Sequence, residues 1–301
     1  MSACSPQPVD ECLNIAVDHR LRALFNPICK QPRLSINDNH AVLLVELGRA
    51  STHGKISWQE VNVTQQFVGP GYSGGIAFIL QQPSNFHPYW EGQGSVILSC
   101  RTFTVINEAL RAVTCGSMEL GSPAVSLFDS APYIRPNDGV SHEYIYNMRQ
   151  STIRIIRERK PDIAVCMWQD RSRVPLEMAK VQSLGVGRDF AKSRITFGGV
   201  LGFPMERVNS FHPSYAANYN PHTSCFRQLL LLNITQACYI YQHGNWHEEK
   251  WMKELKDRCR LRAQSITVSR TAGSRRISMT WAYAYDVYGC SIPPPIQKIL
   301  Y

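Results

Sequence analysis

The chain has 301 residues, of which 44% are hydrophobic and 18% charged, with 19 Gly and 18 Pro. That balance excludes a disordered, collagen-like or low-complexity chain, and the length predicts one large domain with additions. The 32 Lys and Arg against 23 Asp and Glu leave a net charge of +9, as expected of a chain that meets phosphates or an anionic surface.

Residues 1–40 carry Pro6, Pro8, Pro27 and Pro32, and one strand-like apolar run, Ala41–Leu47, follows. Residues 1–70 therefore read as an N-terminal extension packed on a core. The glycine-rich stretch Gly69–Gly75 precedes a strand instead of joining strand to helix, so it reads as a flexible lead-in loop and not as a phosphate cradle.

From Gly75 short apolar runs alternate with helix-length segments. The runs Ile76–Leu80, Val125–Phe128, Ile163–Trp168 and Val208–Phe211 lack polar alternation, which suits strands buried on both faces of a parallel sheet. Helical periodicity covers Thr104–Val113, His142–Arg159 and Ser224–Gln242, and an amphipathic helix is expected over His247–Ala263. On that last helix Lys253, Lys256, Arg258, Arg260 and Arg262 form either a solvated face with ion pairs or a phosphate-binding face. Ile266–Tyr288 reads as two strands about Ala272–Gly273–Ser274. The predicted fold is α/β, a central mostly parallel four-stranded sheet flanked by helices over residues 71–265, with a β-rich C-terminal addition over 266–301.

The 10 Cys never fall into the two-residue spacing of a zinc or iron–sulfur site. No signal peptide opens the chain, so the thiols are expected to be reduced, buried and intracellular. The longest apolar run, Leu229–Leu232 extended to Ile240, is broken by Asn233, Thr235 and Gln236, and falls short of the ~20 residues of a membrane span. No membrane partner, metal or cofactor is expected. His243, His247 and Glu248, and the pair Cys225 and His212, are weaker candidates for a metal site and a thiol nucleophile.

In an open parallel sheet the reacting groups lie at the carboxyl ends of the strands. The first run ends in Gln81–Gln82–Pro83–Ser84, with Phe86, His87, Tyr89 and Trp90 close behind; the second ends in Asp129; the last ends in His212–Pro213–Ser214–Tyr215. A buried strand ending in His-Pro-Ser, with a Gln-x-Pro strand ending 130 residues earlier (212 − 82), resembles the uracil-DNA glycosylase superfamily. The His-Pro-Ser match is complete, whereas Leu80–Ser84 matches the first motif only at Gln81 and Pro83.

The resemblance implies base flipping: a nucleotide is extruded, its base held by the edge, and its bond to the sugar weakened. His212 then donates to a base carbonyl, and Gln82 stands where the family orients the attacking water with Asp or Asn. Asp129 stands where the family reads uracil with Asn; ionised, it accepts only and favours an exocyclic amine. Gln81 also holds the base, Ser84 widens the pocket, and Phe86, Tyr89 or Trp90 stacks on the ring. Ser214 and Tyr215 contact DNA, with Tyr215 the candidate wedge. DNA is the expected partner and the nucleus the expected compartment if the protein acts on it; the sequence leaves the oligomeric state open. Because Gln82 takes no proton, a binding module that lost catalysis is the rival reading, and an unrelated small-molecule hydrolase or transferase is the third.

Overall fold

The computed structural model describes residues 17–35, 39–50, 56–69, 71–83, 87–134, 139–167, 195–197, 205–214, 216 and 224–257. Its centre is a sheet of β3 (Ile76–Leu80), β4 (Val125–Asp129), β5 (Ile163–Cys166), β6 (Ile195–Phe197) and β7 (Met205–Asn209), in the order β4-β3-β5-β7-β6. The first four in that order run parallel, and β6 joins the β7 edge antiparallel. The chain thus winds outward from β3 in both directions, as in doubly wound α/β folds, with the switch point between β3 and β5. The fold class is the expected one, with β6 as an additional edge strand.

Every residue of β3 and β5 is buried, which is why these runs show no polar alternation. The last strand lies earlier than expected, at Met205–Asn209 instead of Val208–Phe211. Glu206 and Arg207 hid its start, but the Arg207 guanidinium is satisfied internally, donating to Asn209 Oδ1 at 2.6 Å.

The Ala41–Leu47 run is helical, not a strand. It lies in α2 (Asn39–Ala50), after the single-turn α1 (His19–Arg22). Leu44 is buried while Leu43 and Leu47 pack inward and Val42 is exposed, a helical spacing that a short unbroken apolar run does not reveal. α3 (Trp58–Val68) follows, with Ser57 accepting from the Glu60 N–H at 3.1 Å and left-handed Gly69 closing it. Leu21, Leu44, Phe67 and Val68 belong to the same apolar cluster as the strands, so the N-terminal helices complete the core.

Between β3 and β4 run α4 (Gln93–Ser99) and α5 (Arg101–Val113); α6 (His142–Arg159) joins β4 to β5. α7 (Ser224–His243) lies across β3, β5 and β7 and packs on α5, while α2 packs on α3 and α6. The region 266–301 lies outside the described residues.

The glycine-rich stretch is clamped from inside the protein. Short strands β1 (Arg33–Leu34) and β2 (Tyr72–Ser73) pair beside it. The buried Arg159 guanidinium donates to the carbonyls of Val68, Gly74 and Pro123 at 3.0, 2.8 and 2.9 Å. Burial pushes Arg159 down to about 10, which leaves it charged at neutral pH. Gly75 has φ +84°, and a Cβ there would clash with the Ala124 carbonyl, so only glycine lets β3 start against β4.

Arg159→Leu leaves the Gly74 and Pro123 carbonyls without the guanidinium, while Val68 keeps the Ser126 hydroxyl at 3.0 Å, and is expected to cost at least about 2 kcal/mol, read from the urea midpoint. Arg159→Lys recovers only part of this, because an ammonium lacks the fork that spans three acceptors. A leucine variant within about 0.5 kcal/mol of the parent contradicts the clamp.

Candidate functional site

The carboxyl edge of the sheet is fastened strand to strand. Leu80 stands opposite Asp129, and Cys166 opposite Asn209. Beyond the strands, the N–H groups of Ser130 and Ala131 donate to the carbonyls of Leu80 and Gln81, and the Ser130 hydroxyl adds a bond of 2.8 Å to Gln81. Met167 N–H donates to Ile79, and Ser210 N–H donates to Cys166 at 2.8 Å. The edge therefore presents, in spatial order, Asp129, then Gln81 and Gln82, then the β5 exit, then His212. With β5 between them, the β3 and β7 exits lie roughly 10 Å apart, two strand spacings.

His212 follows a firmly held segment. Phe211 is buried against Phe226 of α7, ring centroids 5.8 Å apart, and Pro213 restricts the backbone of His212. The half-buried imidazole keeps its Nδ1 2.7 Å from the Ser214 hydroxyl oxygen and 3.3 Å from the Ser214 nitrogen, whose N–H donates to it. With Nδ1 as the acceptor of the Ser214 N–H, the proton of the neutral ring resides on Nε2; the 2.7 Å hydroxyl contact itself is compatible with either tautomer. Burial pushes the imidazole down to about 4, and the ring is neutral at physiological pH.

Asp129 ends β4, half-buried, with Oδ1 shielded from solvent. Its carboxylate lies near the start of α5, where it adds to the burial that pushes the Cys100 thiol up; the N–H groups of Phe103 and Thr102 oppose that shift. Gln81 is exposed and Gln82 half-buried at the β3 exit.

Of the residues expected from sequence, His212 and Ser214 are in direct contact, and Gln81, Gln82 and Asp129 share their sheet edge. Ser84, Phe86 and Tyr215 lie outside the described residues. Among the aromatic candidates, Tyr89 packs edge-to-face on buried His87, which stacks on Phe103, whereas Trp90 is 74% exposed. Sequence reasoning missed Ser210 and Asn233: Asn233 Nδ2 donates to the Ser210 hydroxyl at 3.0 Å, both residues being buried. The available signal was the polar interruption of the Leu229–Leu232 run.

The weaker candidates come apart. Glu248 pairs with Lys256 at 2.6 Å, and His243 lies against Tyr239 at 4.4 Å. Among the described residues no group of three His, Cys, Asp or Glu is placed to hold a metal. Of the basic residues expected on this helix, Lys256 pairs with Glu248, and Lys250 beside them faces Glu254 at 4.0 Å; Arg258, Arg260 and Arg262 lie outside the described residues. The side chain of Cys225 also lies outside them. No described helix is long and apolar enough to cross a membrane. A cavity of about 420 Å³, lined by Leu24, Pro27, Ile28, Val113, Cys238 and Tyr239, lies at the C-terminal halves of α5 and α7, away from this edge. No protein-family model matches the chain, and no curated protein matches it.

The imidazole of the unfolded chain takes up a proton near pH 6.5, while the folded one resists to about 4. The unfolded state therefore binds more protons in that window, and the contribution of His212 to stability, full above about pH 6.5, is lost as pH falls toward 4. His212→Gln is expected to flatten that part of the stability profile, and the imidazole to titrate near 4 by NMR. A midpoint near 6.5 contradicts the arrangement.

Proposed function

We propose that the protein is a divergent DNA glycosylase-like enzyme that flips a modified or mismatched base from DNA and cleaves its glycosidic bond. The observation that carries this reading is the placement of His212: a ring held neutral by burial, with Nδ1 in contact with Ser214, at the carboxyl edge of a parallel sheet.

In this reading the bond between C1′ of the sugar and the base nitrogen breaks with its electron pair going to the base. His212 donates a hydrogen bond to the base carbonyl on which that charge accumulates, the role of an oxyanion-hole donor. Water adds to C1′, positioned by the Gln82 amide, and its proton ends on the departing base. Asp129, as an acceptor, selects a base edge carrying an exocyclic amine, and Gln81 contacts the same base. Ser214 orients His212 and lies close to the DNA backbone. The +9 charge attracts DNA, and a DNA-acting protein of this kind works in the nucleus.

One feature favours a second reading. Gln82 is uncharged and takes no proton, which suits a nucleic-acid or protein-binding module that kept the pocket without catalysis.

A panel of oligonucleotides with modified or mismatched bases, treated with alkali to cleave abasic sites, separates the two. The expected result is strand cleavage, stronger for amine-bearing bases than for uracil, reduced by about 10²–10³ in His212→Ala with DNA binding retained. Release that is unaffected in His212→Ala contradicts the mechanism. Salt-sensitive retention without any base release favours the binding module.

A further inference from the structure

α7 presents Leu229, Leu230, Leu231 and Leu232 at 0–1% exposure, and the next residue, Asn233, is as deeply buried at 2%. An amide in such a place costs free energy unless it is bonded, and leucine of similar volume would pack there without that cost. The neighbouring polar residue, Thr235, settles its hydroxyl within the helix, donating to the Leu231 carbonyl at 2.7 Å. Asn233 reaches out of its helix, to the Ser210 hydroxyl at 3.0 Å. Ser210 is fully buried, and its N–H is already committed to the Cys166 carbonyl of β5. The β7 exit is thus tied on one side to the sheet and on the other to α7, two residues before His212. Phe211, between them, rests on Phe226 of the same helix.

We infer that Asn233 is a positioning residue for His212, acting through the Ser210 hydroxyl to fix where the chain leaves β7 and hence where the imidazole stands on the sheet edge. This rests on the reading of His212 as the working donor, but the positioning itself is measurable without substrate. Ser214 holds Nδ1 of the ring, and the Asn233–Ser210 link sets the base of the turn that carries both residues. Because the link is a single hydrogen bond between two named side chains, its removal from either end has the same consequence.

The test is histidine-selective ¹⁵N NMR of the full chain, comparing the parent with Asn233→Leu, Ser210→Ala, their combination, and Thr235→Val as an equally buried control. The expected result is that each single variant displaces the His212 Nδ1 and Nε2 signals, that the combination displaces them no further than the larger single effect, and that Thr235→Val leaves them in place. Base release, where the parent shows it, falls about 10²-fold in kcat with KM within about twofold, the consequence of a misplaced group. Should Asn233→Leu fail to fold, Ser210→Ala carries the same readout. Unmoved His212 signals in Ser210→Ala or Asn233→Leu, additive displacements, or an equal displacement by Thr235→Val overturn the assignment. If the parent releases no base, the glycosylase reading fails alone, and the NMR comparison still decides whether Asn233 positions the ring.

Discussion

The contact between Ser214 and Nδ1 of His212 is the constraint on which the functional account depends. It ties Nδ1 to its own turn, and burial holds the ring neutral at physiological pH. A charged imidazole would be a stronger donor in water, but in a partly desolvated site it would pay for the loss of hydration. In the proposed mechanism a neutral Nε2–H avoids that penalty and still meets the developing negative charge. In the same proposal the rest of the edge has the simpler task of holding Asp129 and the β3 amides at fixed spacing from that nitrogen.

The sheet performs this task through its order. Parallel strands deliver all their carboxyl ends to one side, and the doubly wound order puts the first strand, β3, in the interior of the sheet with β4 and β5 on either side. The exits are then bonded laterally, Ala131 to Gln81 and Ser210 to Cys166, so that each polar residue leaves from a fastened point. At the opposite end, Arg159 serves the start of the sheet in the same way, gathering the carbonyls of Val68, Gly74 and Pro123.

Much of this was legible in the sequence. Ile76–Leu80 and His142–Arg159 read correctly because a strand buried on both faces and a capped amphipathic helix leave unambiguous patterns. Ala41–Leu47 misled because seven residues of mostly apolar sequence fit either period, and only the packing of Leu43, Leu44 and Leu47 against the core distinguishes them. β7 was displaced because an Arg207–Asn209 bond inside the protein is invisible to a reading that treats charge as exposure. The positions of His212, Gln82 and Asp129 at strand ends were legible because turn chemistry follows strand ends in the sequence. Asn233 and Ser210 were not, since their link joins positions 23 residues apart through a contact that no local pattern encodes.

The central claim, that His212 works as a neutral Nε2–H donor to a base, is tested most directly by following its ¹⁵N-coupled proton while the protein binds a duplex. The duplex carries an amine-bearing base on a 2′-fluorinated sugar, which resists cleavage. The account predicts a downfield shift of the Nε2 proton on binding, with Nδ1 remaining unprotonated. A complex that forms while the His212 signals stay as in the free protein, or in which Nδ1 acquires the proton, would contradict it.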